Sequence, residues 1–382
     1  MDSTKQLIYI IAGEVSGDIH AAELMQSYRE INDNVVFSGL GGARMLAHAQ
    51  ATGGDLEDWL ESAAVMGLVE VLKHYNYFKE QFYKLLNRIE RDQPDALILV
   101  DYPGFNLRIA KQVKKRWPQI KIIQYVSPQV WAWKAGRIKT MQRDLDLLLC
   151  LFDFELKYFK DTQLDARCYG HPLVDELETK RDHSIVRDET LVALLPGSRE
   201  REVNYLLPKM LGAAKLLLQK QPDLRFEIPL AQEKLKPIIE LMISEQGLNA
   251  NVKITNSTSQ QLMQQAHTGI IASGTATLEA AYYGLVFCLV YQLAPLTHWL
   301  ADRLVKIDDV GLINIIAGHQ IIPEFIQHEF TAENVAAKIQ QWYDYPHAYE
   351  SLQKDLLEEV QVLGKTGVQK RLASSINEYL VG

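Results

Sequence analysis

At 382 residues, 47% hydrophobic and 23% charged, the chain is too long for one hydrophobic core and reads as an ordinary globular protein of two domains. A net charge of −8 argues against generic nucleic-acid binding, and apolar runs of about 5–8 residues are too short to span a bilayer. Three scattered cysteines (Cys150, Cys168, Cys288) without a CxxC pair argue against a disulfide framework or a zinc site; with no secretory signal at the N-terminus, a cytoplasmic location is expected.

Short β-branched runs alternate with amphipathic segments, the pattern of parallel α/β sheets. In the first half the pattern predicts strands at Leu7–Ala12, Val35–Ser38, Ala96–Val100, Lys121–Val126, Leu147–Leu151 and Arg167–Tyr169. Helices such as Ala21–Glu30, Gly67–Asp92 and Phe105–Trp117 are expected between them. The polar stretch VDELETKRDHSIVRDE (174–189) is the expected linker. Beyond it, strands are predicted at Leu191–Leu195, Arg225–Leu230, Val252–Thr255, Gly269–Ala272 and Val286–Tyr291, and the tail from Ala332 is almost all helix. The expected fold is α/β: two Rossmann-like domains with parallel sheets facing a central cleft, followed by C-terminal helices. Ligands of such sheets sit at the C-terminal ends of strands, so the residues that follow each strand carry the functional signal.

In IAGEVSGD (11–18), Gly13 and Gly17 permit a tight turn and Ser16 or Asp18 can cap the next helix; alternatively Glu14 and Ser16 face the cleft. GLGGAR (39–44) has Arg44 where a dinucleotide fingerprint needs its third glycine, which argues against NAD. In LILVDYPGFN, Asp101 ends a wholly apolar strand, where a carboxylate can serve as general base to a hydroxyl, or simply accept hydrogen bonds in the turn. From Tyr102 to Arg143 there are ten Lys/Arg and no acid, interleaved with Trp117, Tyr125, Trp131 and Trp133. This is a solvated basic face, or one that meets phosphate or an anionic membrane. His171, before Pro172, is a catalytic candidate or a packed boundary residue.

LLPGSREREV (194–203) runs strand, small-residue turn, helix: an arrangement that presents backbone N–H groups to an anion, with Arg199 able to grip a diphosphate. IIASGTATLEAAYYG (270–284) repeats it with Ser273, Gly274 and Thr275, and Glu279 one turn on can accept from ribose hydroxyls. The bland alternatives are a surface arginine and a solvent-facing glutamate. Asp144 and Asp146 read as chain punctuation and adjacent Asp308 and Asp309 diverge, so no metal and no cofactor are expected.

The blocks AGEVSGD, GLGGARM, AVMGLVEVL, DYPGFN, YVSPQVWAWK, GHPLVD, LLPGSRERE, ASGTATLEAA and HWLADRLVKIDDVGLINIIAG occur in this order. Together, from about Ile11 to Phe330, they closely resemble the lipid-A-disaccharide synthase family. The resemblance implies an inverting, metal-independent glycosyltransferase of the GT-B fold. It would condense UDP-2,3-diacylglucosamine with 2,3-diacylglucosamine 1-phosphate, releasing UDP, at the inner face of the cytoplasmic membrane. It assigns acceptor binding to 1–173, UDP-sugar binding to 174–345, and 346–382 to helices crossing back to the first domain. Gly197, Ser198, Arg199, Ser273, Gly274, Thr275, Glu279 and Asn314 are the implied donor contacts. Asp101 and Glu14 are the implied catalytic pair, with Ser16, Asn106 and Trp133 lining the acceptor cleft.

Family members often carry a second acid in the DYPGFN block; here that place is Gly104, which leaves Asp101 as the block's only acid. The lipid substrates further suggest that the segment 67–86, with Tyr77, Phe78 and Phe82, keeps an apolar face for acyl chains or the bilayer surface. A UDP-N-acetylglucosamine 2-epimerase-like enzyme of the same fold is the alternative. The sequence leaves open whether the chain works as a homodimer.

Overall fold

Residues 5–60, 75–131, 135–292 and 309–382 are described by the computed structural model. Trp133, Asp308 and the stretch 67–74 of the expected apolar segment lie outside them. The chain divides into two compact units, Met1–Asp175 together with Leu363–Gly382, and Glu176–Val362.

The first unit is built on a seven-stranded parallel sheet: β1 (Gln6–Ala12), β2 (Val35–Gly41), β3 (Leu56–Asp58), β4 (Ala96–Val100), β5 (Lys121–Tyr125), β6 (Leu147–Cys150) and β7 (Asp165–Cys168). Their spatial order is β3-β2-β1-β4-β5-β6-β7. Central strands such as ALILV are apolar throughout because helices cover both faces. Alternation along β1 divides the core: Ile8 and Ile10 pack with Met25, Leu372 and Ile376, whereas Tyr9 and Ile11 pack with Leu85, Ile89, Ile109 and Val113 on the other face. Leu372 and Ile376 belong to the last helix, Val368–Val381, which returns from beyond the second unit. Polar contacts secure it: Gln369 Nε2 donates to Glu23 (2.9 Å), and both Arg167 and Tyr169 reach Ser375 Oγ (2.9 Å each).

The second unit holds a six-stranded parallel sheet of β8 (Asp188–Leu195), β9 (Arg225–Pro229), β10 (Val252–Thr255), β11 (Ala266–Ala272), β12 (Val286–Tyr291) and β13 (Glu324–Ile326), ordered β10-β9-β8-β11-β12-β13. All eleven expected strands are present. The two additional ones, β3 and β13, are three-residue edge strands, too short to show a period. The polar stretch 174–189 is partly structured, with helix Leu173–Thr179 running into it and β8 starting at Asp188. Helix Pro346–Glu359 stays with the second unit, so the returning segment is shorter than the expected 346–382.

The glycine-rich GLGG run serves packing. Gly39 holds φ +136°, and a Cβ there would meet Ile10 O at 2.1 Å. Asp18 does not cap its own helix, Val15–Ile31; its buried carboxylate accepts from the N–H groups of Gly42 (2.8 Å), Arg44 (3.3 Å) and Met45 (3.2 Å), capping Ala43–Thr52 instead. Asp18→Ala strands these donors and is expected to cost about 1–2 kcal/mol in urea unfolding, whereas Ser16→Ala, at an exposed position, stays within about 0.5 kcal/mol. Equal effects would show that the cap contributes nothing.

Candidate active site

In the first unit β1 and β4 are neighbours, with Ala12 beside Val100, so the loops that follow them meet. Asp101 leaves β4 with φ +47° and Tyr102 follows at +45°, a left-handed conformation uncommon outside glycine. The Asp101 N–H donates to Tyr125 O at 2.9 Å. Burial pushes the Asp101 carboxyl up to about 6, the nearby Glu14 carboxylate adds to this, and the Tyr102 N–H draws it back. The pairing of β1 with β4 thus sets Glu14 close enough to Asp101 for its charge to be felt there.

The rest of the site is sorted by burial. Glu14 is half-buried ahead of its helix and Ser16 is exposed. Asn106 is fully buried, and its Nδ2 donates to Val100 O (3.2 Å) and Asp101 O (2.8 Å), so it supports the turn and does not line a cleft. His171 is buried; Nδ1 accepts from Leu173 N–H (3.1 Å), and burial with His20 nearby pushes its pKa down to about 3, which makes it a neutral packing residue. Trp59, which no pattern in the sequence marks, donates Nε1–H to Ala12 O (2.7 Å) and packs against Tyr102 and Phe105 beneath the site.

Acids from outside the basic stretch pair with part of it: Lys114 with Asp146 (2.5 Å) and Arg143 with Asp144 (2.6 Å). Arg108, Lys111 and Lys115 remain exposed on one side of helix Pro103–Arg116. Tyr77, Phe78 and Phe82 do not form an exposed face. They are half-buried against the core around Trp59 and Phe105, because their helix, Tyr75–Asp92, covers the sheet.

In the second unit β8 and β11 are neighbours, with Leu195 beside Ile271, so the two small-residue turns lie side by side. They line a pocket of about 440 Å³ with Pro229–Ala231 and Ser257–Ser259. The turns differ in a way the sequence pattern did not reveal. Glu202 closes the first: Oε2 accepts from Ser198 N–H (3.0 Å) and Arg199 N–H (3.2 Å), and Oε1 lies 3.3 Å from the Arg199 guanidinium. Gly197 belongs to that closure, since a Cβ there would sit 2.2 Å from Glu202 Oε2. The expected anion cradle at PGSR is thus filled by a carboxylate of its own helix, leaving the exposed Arg199 side chain as its cationic feature.

The second turn is open. The N–H groups of Gly274, Thr275 and Ala276 have no acceptor among the described residues, while Thr277 Oγ1 fixes the turn by donating to Gly274 O (2.7 Å). Glu279 accepts from Gln260 Nε2 (2.8 Å); burial and Glu176 push its pKa up. Asn314 does not reach this pocket. Fully buried, it donates to Ile322 O (3.0 Å) and Glu324 (2.7 Å) and accepts from the N–H groups of Ile321 (2.9 Å) and Ile322 (3.0 Å). With its amide saturated, it holds a loop instead of a nucleotide. Among the described residues no three His, Cys, Asp or Glu side chains group to hold a metal, and no helix is long and apolar enough to cross a membrane.

Two parallel Rossmann-like sheets in succession and a helical C-terminal stretch define the GT-B class. The chain superposes on the spinosyn rhamnosyltransferase SpnG with a TM-score of 0.57 at 11% identity, over 97% of this chain and 100% of that one. On the UDP-GlcNAc 2-epimerase from Neisseria meningitidis the TM-score is 0.62 at 13% identity, over 98% and 100%. At such identities the likeness is one of fold alone.

Sequence comparison is more specific. The profile of the lipid-A-disaccharide synthetase family matches residues 8–376. The lipid-A-disaccharide synthase of Trichlorobacter lovleyi is 37% identical over 384 residues, covering 97% of this chain and 96% of its own. That of Geobacter sulfurreducens is 35% identical over 390 residues, covering 99% and 98%. This chain belongs to the lipid-A-disaccharide synthetase family: it is a glycosyltransferase of lipid A disaccharide synthesis.

The raised carboxyl of Asp101 has a cost to stability. Its folded value of about 6 lies above the unfolded one near 4, so the unfolded chain binds fewer protons between these limits and stability falls as pH rises through that window. Asp101→Asn is therefore expected to stabilise the protein at pH 8 by on the order of 1–3 kcal/mol, a gain that shrinks as pH falls toward 4. Urea unfolding at several pH values measures it, and a gain independent of pH would contradict the assignment.

Proposed function

We propose that the chain transfers the glucosamine unit of UDP-2,3-diacylglucosamine to the 6-hydroxyl of 2,3-diacylglucosamine 1-phosphate, forming the β-1,6-linked disaccharide 1-phosphate and UDP. The observation that carries the reading is Asp101: a strand-end carboxylate kept basic by burial and by Glu14. In this reading Asp101 takes the hydroxyl proton while the acceptor oxygen bonds to the anomeric carbon. The bond from that carbon to the diphosphate breaks on the opposite face, so configuration inverts. The acceptor belongs to the first unit and the donor to the second.

The open N–H groups of Gly274, Thr275 and Ala276 receive the diphosphate, and the Arg199 guanidinium turns from Glu202 onto it. Glu279 accepts from the ribose hydroxyls. These groups can stabilise departing UDP without a metal, which is the reaction proposed. The exposed Arg108, Lys111 and Lys115 meet anionic headgroups, giving peripheral association with the inner face of the cytoplasmic membrane.

Mass spectrometry of a reaction containing both lipid substrates and EDTA tests this directly. The wild type is expected to form disaccharide 1-phosphate and UDP, with turnover falling below about pH 6 as Asp101 protonates. Asp101→Asn should lose about 10²–10⁴-fold in kcat. Arg199→Ala should weaken UDP binding by about 10-fold or more, a charge-assisted contact being lost. Normal turnover by Asp101→Asn would move the base elsewhere, with Glu14 next. Turnover of sugar nucleotide without any lipid acceptor would favour epimerase chemistry.

A further inference from the structure

Three non-glycine residues at the ends of β4 and β5 hold left-handed backbone: Asp101 (φ +47°), Tyr102 (+45°) and Val126 (+68°). A β-branched residue in that region is a true outlier, and such conformations persist only where their surroundings impose them. One side chain touches both strand ends. Gln124, fully buried on β5 beside Leu99 of β4, directs its Nε2 at three carbonyls: Asp101 (3.3 Å), Tyr125 (3.3 Å) and Val126 (3.1 Å).

A glutamine is out of place in the otherwise apolar centre of KIIQY. Its Oε1 is buried without a hydrogen-bond partner, so the residue leaves half its amide unpaired in the core. A hydrophobic side chain of similar length would avoid that penalty. What glutamine supplies is the donor pair, shared among the carbonyls of Asp101, Tyr125 and Val126 at the two strand ends. Asp101 is then held on both sides of its Cα: N–H to Tyr125 O at 2.9 Å, and C=O to Asn106 at 2.8 Å as well as to Gln124. Fixing that backbone fixes the direction in which Cβ, and with it the carboxylate, leaves the chain.

We infer that Gln124 is a positioning residue for glycosyl transfer, a clamp across β4 and β5 that sets the angle of Asp101. The inference rests on the reading of Asp101 as the base. Gln124 itself is sealed from substrate, and its effect on the reaction passes through Asp101.

A double-mutant cycle tests it. Gln124→Met removes both donors at nearly constant volume. It is expected to lower kcat on the order of 10–100-fold while KM for the UDP-sugar and the affinity for UDP stay within about twofold, since a small misplacement of a reacting group costs rate and not donor binding. In the Asp101→Asn background the same change should cost nothing further, because the group it positions is already lost. Gln124→Glu, of equal shape with at most one donor, is read in the same way and keeps the test decisive if the methionine variant does not fold. A kcat within about twofold of wild type, or an equal further loss in the Asp101→Asn background, would overturn the inference. Wild-type turnover by Asp101→Asn alone would instead overturn the reading of the base.

Discussion

Because every strand in both sheets runs parallel, each must be followed by a crossover, and all the strand C-termini of a sheet fall on one edge. That single constraint decides where chemistry can occur. Pairing of β1 with β4 brings Glu14 to Asp101, and pairing of β8 with β11 sets the two small-residue turns side by side. Neither juxtaposition depends on sequence proximity. Both follow from strand order in sheets whose apolar strands are covered on both faces.

Once strand ends are gathered on one edge, their polar groups divide into two kinds of work. Some keep capacity to spare among the described residues, such as the N–H groups of Gly274, Thr275 and Ala276. Others are spent on backbone. Asp18 caps a neighbouring helix, Glu202 closes the Ser198–Arg199 turn, and Asn314 with Glu324 holds the loop before β13. A buried donor or acceptor left unpaired is expensive, so the interior side of each turn is satisfied by the chain itself. Only the solvent side is left for a ligand.

Asp101 stands at the meeting of these two economies. Its peptide is held by buried amides, while its carboxyl is partly buried beside another carboxylate and its protonation is shifted toward neutrality. Destabilisation of the charged form in the folded state makes the group a better proton acceptor in the operating range. Holding it there requires backbone that is itself unfavourable, and the rigidity of the sheet beneath bears that cost.

Much of this was legible in one dimension. Apolar runs such as ALILV and LLLC announce buried parallel strands, their spacing announces α/β crossovers, and ordered blocks from AGEVSGD to VGLINIIAG carry the family. An acid at the end of a wholly apolar strand and small-residue turns before helices likewise declare themselves, because local chemistry dictates them. Which polar residue faces a ligand and which faces the backbone was not legible. Asn106, Asn314 and Glu202 carry the same donors and acceptors whether exposed or buried, and sequence contains no record of the carbonyls they meet. Gln124 breaks an apolar strand without any motif, and its purpose emerges only where β4 and β5 bring two left-handed turns to its amide. Sequence by itself determined the elements and the family, since these rest on local periodicity and residue type. Tertiary structure alone decided the partner of each buried polar group, since hydrogen bonding depends on distances across strands that are remote in the chain.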